Sequence, residues 1–148
     1  MRRKAEGERR EAAAIFKSKL GWAGVAVSEK GISSVILPKK DKRTVERQLE
    51  SPECGVRYAE QSALKSETIN KAVKLLHQYF SGERVSFDLP LDLRNYTRFQ
   101  QAVWKAAAEI PYGETRSYVW IASRIRNPRA SRAVGQALGA NPIPVIIP

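Results

Sequence analysis

Ser117-Tyr118-Val119-Trp120-Ile121-Ala122-Ser123-Arg124-Ile125-Arg126-Asn127-Pro128-Arg129-Ala130-Ser131-Arg132-Ala133-Val134-Gly135-Gln136-Ala137-Leu138-Gly139 decides the reading of this chain, because it carries two short helical patterns with a turn between them. Ser117 can accept from the free amides of the turn that follows it, which predicts a helix over 118–125. Asn127-Pro128 offers the next helix both a cap and a proline at its first turn, where a missing N–H costs little, so a further helix is expected over 128–139. Two short helices joined in this way predict a helix-turn-helix. On the second of them Ala130, Ala133, Val134, Ala137 and Leu138 fall at i, i+3, i+4, i+7 and i+8, the stripe expected to face a core. The opposite face then carries Arg129, Arg132 and Gln136, with Ser131 and Gly135 between them. Cationic and hydrogen-bonding groups on a surface of such small bulk can approach a phosphate backbone closely, and suit a groove narrower than the roughly 12 Å major groove of B-DNA. A solvated helix with two ordinary arginines is the competing reading.

Upstream, Thr97-Arg98-Phe99-Gln100 matches a capping box, and Phe99, Val103, Ala106 and Ile110 form the stripe of a helix that Pro111-Tyr112-Gly113 breaks. Ser66 can cap a helix ending near Gly82, with Ile69, Val73, Leu76 and Phe80 at helical spacing. Val85, Phe87, Leu89, Leu91 and Leu93 alternate, which predicts an edge-type extended segment, with Pro90 where it leaves a sheet. The apolar runs 22–27 and 32–37, separated by Ser28-Glu29-Lys30-Gly31, predict a β-hairpin over 21–38. Val45 and Leu49 pair at i,i+4 on a short charged helix over 41–50 that Ser51-Pro52 ends, and 53–65 is weakly patterned. The expected organisation is a charged segment over 1–20, an α/β domain over 21–92 and an all-helical domain over 93–148.

A hydrophobic fraction of 43% in 148 residues is enough for one substantial core or two small ones. The formal charge of +11, from 26 Lys plus Arg against 15 Asp plus Glu, attracts polyanions and puts nucleic acid first among partners, although a basic surface also serves solubility alone. One cysteine, Cys54, excludes an internal disulfide, and with one histidine, His77, leaves too few ligands for a four-coordinate zinc site. Cys54 is read as an ordinary thiol and His77 as a surface or packing residue. The apolar stretch at 12–16 is too short for a signal peptide core or a membrane span, so an intracellular protein is expected, cytoplasmic or, in a eukaryote, nuclear, with no membrane partner.

Downstream of the helices, Asn141-Pro142-Ile143-Pro144-Val145-Ile146-Ile147-Pro148 carries no charge. Its three prolines predict a rigid, extended and normally buried stretch, whose last apolar residues are expected to need covering structure beyond it.

Phe99 to Trp104, Ile110 to Thr115, Ser117-Tyr118, the Asn127 to Gly135 run and the Asn141 to Pro148 run together resemble consecutive signature segments of the methylated-DNA-protein-cysteine methyltransferases, or alkylguanine DNA alkyltransferases. Tyr79-Phe80-Ser81-Gly82 and Phe87 to Asp92 resemble the end of that family's N-terminal ribonuclease-H-like domain; before Leu64 the match is weak. The resemblance implies an α/β ribonuclease-H-like domain followed by an all-α, winged-helix-like DNA-binding domain, incomplete at its end. It implies direct-reversal repair: the protein grips double-stranded DNA in the minor groove, flips an alkylated guanine, and takes the group from the 6-oxygen onto its own cysteine in one turnover, with the 4-oxygen of thymine a further candidate. No cofactor is needed, no metal is expected, and the protein is expected to be a monomer. By the resemblance Tyr118 helps to rotate the target phosphate, Arg132 fills the space of the flipped base, Arg129, Ser131, Gly135 and Gln136 complete the DNA contact, and Asn141 forms the turn that carries the active site. Tyr118, Leu138 and Pro144 correspond to the alkyl pocket.

In the family the segment ending at Pro148 leads directly to the acceptor cysteine, then a histidine and an arginine; the expectation is that this sequence is an incomplete version of such a protein and is inactive as it stands. Two readings compete with transfer: a sensor of alkylated DNA without the acceptor, and a regulatory module reading sequence in the major groove, which the Ala, Ser and Gly content of the 128–139 pattern disfavours. Tyr118 packing on Trp120 or Trp104, and Arg132 as a simple phosphate contact, are the structural alternatives.

Overall fold

In the computed structural model, which describes residues 12–51 and 66–148, the apolar run at 12–16 opens a strand rather than belonging to a charged N-terminal segment. Strand β1 (Ala12–Ser18) pairs antiparallel with β2 (Gly21–Ser28), from Ala12 opposite Val27 to Ser18 opposite Gly21. Partners supplied by later residues thus override the helical preference of three alanines. β2 continues through the expected hairpin into β3 (Gly31–Lys39), giving a sheet in the order β1-β2-β3. The connection requires its glycine: Gly31 has φ +144°, and a Cβ there would collide with the Pro90 carbonyl and stand 2.9 Å from the Leu91 nitrogen.

Each face of the sheet is covered by a helix. Val45 and Leu49 of α1 (Lys42–Glu50) are buried against Ala13, Ala26 and Ile36, and Ile15 and Trp22 lean on the same cluster. Gly24 makes the room, since a Cβ there would stand 2.8 Å from a Val45 methyl. Phe16, out of phase with Ala13 and Ile15 along β1, meets His77 at 5.5 Å from the second helix, α2 (Glu67–Phe80), so His77 is an exposed residue whose ring packs on Phe16. Ser66 caps α2 through the Ile69 amide, and Ile69, Ala72, Leu76 and Phe80 are its buried face.

Asp41 caps α1 by accepting from the Thr44 amide at 2.8 Å. That amide first, then the Thr44 hydroxyl and Arg47, hold its carboxyl below the ordinary value of 3.8. A depressed carboxylate stabilises the fold above its ordinary pKa and loses that contribution as the pH falls through its lowered, folded value. Asp41→Asn is therefore expected to melt below wild type near neutrality and to approach it under strongly acidic conditions. Thermal melts followed by circular dichroism check this, and a pH-independent gap would remove the ionic contribution.

The alternating segment after α2 joins the sheet at one point only. The Ile32 amide donates to the Pro90 carbonyl at 2.8 Å and the Asp92 amide to the Ile32 carbonyl at 2.7 Å, a single parallel bridge at Leu91. Pro90 does not mark a departure from the sheet, as expected, but the point of attachment: it lacks a donor, yet its carbonyl still accepts. Asp92 also accepts from the Ser28 hydroxyl, which ties this segment to the hairpin turn.

The chain divides into two compact units, Met1–Asp92 and Leu93–Pro148. The second is all helical: α3 (Arg98–Ala108), α4 (Tyr118–Arg124) and α5 (Ser131–Gly139). Thr97 and Gln100 form the expected capping box, each side chain accepting from the other's backbone amide at 3.0 Å. Val103 and Ala106 of the α3 stripe are buried, whereas Phe99 and Ile110 are only half-buried. The core centres on Trp104, which is 0% exposed. Its indole N–H donates to the Ala137 carbonyl at 2.8 Å and its ring meets Tyr96 edge-on at 5.0 Å. Such an anchor removes a large apolar area from water without orphaning its polar atom. Among the described residues no helix is long and apolar enough to cross a membrane.

Candidate nucleic-acid interface

α4 and α5 are the helix-turn-helix. Ser117 caps α4 by accepting from the Trp120 amide at 3.0 Å, and Ile121 and Ala122 are its buried positions. The Ser117 cap leaves Tyr118 at the first helical position with its side chain 53% exposed. Tyr118 packs on neither expected alternative, Trp120 or Trp104, but across α5: a Cβ on Gly135 would lie 2.9 Å from Tyr118 Cε2 and 3.3 Å from Cδ2. The ring therefore lies against the bare backbone of Gly135, a seat that only glycine leaves open.

α5 begins later than expected. Asn127 and Pro128 do not cap it; the Asn127 carbonyl instead accepts from the Ala130 amide at 3.0 Å, closing a turn, and α5 starts at Ser131 after Ala130. Arg126 at φ +62° and the Asn127 amide, bonded to the Ala122 carbonyl at 2.8 Å, use these residues to end α4 rather than to open α5. Arg129 is accordingly an exposed turn residue, not a member of the helical face. Because Ala130 offers no side-chain cap, the first-turn amides of α5 are left to water or to a phosphate.

On α5 itself Val134 and Ala137 are buried, Ala133 and Leu138 half-buried. Arg132 and Gln136 are exposed, and Ser131 and Gly135 half-buried beside them. Arg132 stands three residues before Gly135, so on a helix its side chain rises one turn from the Tyr118 ring. The result is a small-residue surface flanked by a guanidinium and a phenol.

The stretch 141–148 is not extended. Asn141 Oδ1 accepts from the Ile143 amide and its Nδ2 donates to the Ile147 carbonyl, both at 2.8 Å. The Ile147 amide returns to the Ile143 carbonyl at 2.9 Å, and Val145 sits at φ +77°, a conformation costly for a β-branched residue. Prolines restrict single residues but do not forbid a turn when a side chain supplies the bonds. As expected for so apolar a stretch, Ile143, Ile146 and Ile147 are buried; Pro144 is half-buried.

Sequence reading missed one feature here. Arg116 lies 5.5 Å over the Trp120 ring and bonds Glu114 at 2.7 Å, bracing the exposed approach to α4. The i,i+4 spacing of Arg116 and Trp120 across the Ser117 cap was the available signal. Cys54 falls outside the described residues.

Residues 98–148 match the DNA binding domain of 6-O-methylguanine DNA methyltransferase, and residues 13–93 match its ribonuclease-like domain. A methylated-DNA--protein-cysteine methyltransferase of Methanosarcina acetivorans is 42% identical over 135 residues, covering 91% of this chain and 78% of that protein. The crystal structure of the Mycobacterium tuberculosis O6-methylguanine methyltransferase R37L variant is similar with TM-score 0.72 and 36% identity, over 94% of this chain and 76% of its own. The Mycobacterium tuberculosis OGT in complex with DNA gives TM-score 0.69 at 36% identity, over 93% and 74%.

Proposed function

The chain belongs to the 6-O-methylguanine DNA methyltransferase family, and from that premise we propose that it serves direct-reversal DNA repair, binding double-stranded DNA and presenting a flipped alkylated guanine to a protein cysteine. The observation that carries this reading is the Tyr118 ring seated on Gly135 one helical turn from the exposed Arg132. A guanidinium beside a face of small residues can enter a minor groove and occupy the space a base vacates. Tyr118 then crowds the phosphate of the extruded nucleotide. Arg129, Ser131, Gln136 and the uncapped amides of α5 hold the flanking backbone. Tyr118, Leu138 and Pro144 line the alkyl group, and the Asn141 loop sets the height of the floor beneath it.

The transfer itself forms a sulfur–carbon bond from a cysteine thiolate and breaks the bond between carbon and the 6-oxygen of guanine, whose electron pair stays with the base and is neutralised by a proton. The acceptor is used once, with no cofactor; the 4-oxygen of thymine is a second candidate donor. We assign no part in this step to Cys54. The reading places the acceptor directly after Pro148, followed by a histidine that lowers its pKa. The coding sequence beyond Pro148 tests this: a Cys-His-Arg run supports transfer, and another residue in the first position would make the protein a sensor of alkylated DNA.

Arg132→Ala is expected to lower the preference for alkylated over unmodified duplex several-fold, while general affinity falls less. Equilibrium binding to the two duplexes by fluorescence anisotropy measures both, and an equal loss on each would reduce Arg132 to a phosphate contact.

A further inference from the structure

A second cationic surface lies on the sheet of the first unit, away from any element of the helix-turn-helix in sequence. The strand register places Lys17 directly opposite Trp22 on one side and Lys39 directly opposite it on the other. Directly opposed residues of an antiparallel pair share a face, so the three side chains form a row across the end of the sheet. Lys42, the first residue of α1, closes over the same ring: the Lys17 and Lys42 ammonium groups each lie 5.8 Å from the Trp22 ring centroid. Exposed Lys19, Lys40 and Arg43 lie within two residues of these lysines along the chain. The nearby carboxylate, Asp41, is committed to the Thr44 amide and hydroxyl. Among the described residues, none of these six cations meets a carboxylate in a salt bridge.

Like charges gathered on one short edge repel, and cation–π contact with the indole offsets that only in part. What the ring adds is order: it fixes two flexible lysine stems, whose free rotamers would otherwise have to be frozen by a ligand. Preordered ammonium groups without carboxylate partners suit a linear polyanion, which can reach several of them at once.

We infer that the Lys17, Trp22, Lys39 and Lys42 surface is an additional phosphate-backbone contact for duplex DNA, independent of base identity and of alkylation. Duplex DNA is favoured over other polyanions because the inference rests on the function proposed above, in which the same chain already holds a duplex. A second contact on that polymer raises overall affinity through effective concentration.

The salt dependence of binding separates the possibilities. Full-chain wild type, Lys17→Gln/Lys39→Gln/Lys42→Gln and, as a variant that leaves the indole contacts intact, Lys19→Gln/Lys40→Gln are titrated with unmodified and with alkylated duplex at several salt concentrations. Every phosphate left without its cation lowers the slope of log affinity against log salt by about 0.9. The triple variant removes three cations and is expected to lower the magnitude of that slope by about 2.7, equally on both duplexes, with the preference for alkylated duplex unchanged. An unaltered slope in the triple variant, with wild-type binding intact, overturns this inference and leaves the repair reading standing, whatever the Lys19→Gln/Lys40→Gln variant does. If wild type itself fails to bind either duplex, both fall. Tighter, lysine-dependent binding to vesicles of phosphatidylcholine and phosphatidylserine than to duplex would make the surface a membrane contact and overturn the inference as well.

Discussion

A Gly135→Ala variant is expected to melt at or slightly above the wild-type temperature and yet to bind alkylated duplex about tenfold more weakly, a loss of about 1.4 kcal/mol. The two effects have opposite signs because they arise from different atoms. Within α5 an alanine is a better helix former than glycine by about 1 kcal/mol. The added Cβ, however, would stand 2.9 Å from Tyr118 Cε2, closer than packed carbons tolerate. The ring, 53% exposed, is the free end of a side chain and swings away, so the helix need not move. Stability is kept while the tyrosine loses the position from which, in the function proposed above, it crowds a nucleotide phosphate. Circular dichroism melts and anisotropy titrations of Gly135→Ala, Tyr118→Ala and the double variant give a cycle. If the seat is what Gly135 provides, the double variant binds no more weakly than Tyr118→Ala alone. Full additivity would mean that Gly135 acts on DNA directly and that the ring contact is incidental.

What could be read from the residues was what short-range chemistry determines. Ser66, Thr97 and Ser117 cap helices as their positions imply, because a side-chain oxygen two or three residues before an amide acts locally. The hairpin at 28–31 and the Val45, Leu49 pair are local in the same sense. The failures share a cause. Ala12 to Phe16 looks indifferent alone and becomes a strand only because β2 supplies partners. Asn127-Pro128 is a good cap by composition, but Asn127 is drawn into the turn that ends α4, so α5 starts three residues after Pro128.

At the candidate site the same division holds. The small-residue face with Arg132 and Gln136 followed from periodicity, since those side chains point where the buried Val134 and Ala137 do not. Tyr118 was singled out by family resemblance, but its seat on Gly135 is a tertiary contact that no spacing rule announces. The Lys17, Trp22, Lys39 row is equally invisible in one dimension: its members lie on three strands, and only the register aligns them.

Asn141→Ala is expected to cost the second unit about 2–6 kcal/mol, since it strips partners from two backbone groups in a buried loop and each such orphan costs about 1–3 kcal/mol. The side chain serves the Ile143 amide and the Ile147 carbonyl together, and Ile143 and Ile147 are 0% and 1% exposed. The same clamp holds Val145 at φ +77°, which stores on the order of 1–3 kcal/mol that a free loop would release. This coupling makes the prediction sharper than a loss of stability alone. In wild type, Val145→Gly relieves the strain without disturbing the clamp, and is expected to recover part of that energy. In an Asn141→Ala background the loop has already relaxed, so the glycine has little left to relieve. Thermal melts of the two single variants and the double variant are therefore expected to be non-additive, with Val145→Gly helping wild type more than it helps Asn141→Ala. Equal benefit in both backgrounds would show that Asn141 does not maintain the strained turn, and an unchanged melt for Asn141→Ala would show that its two hydrogen bonds are replaced by water at no cost.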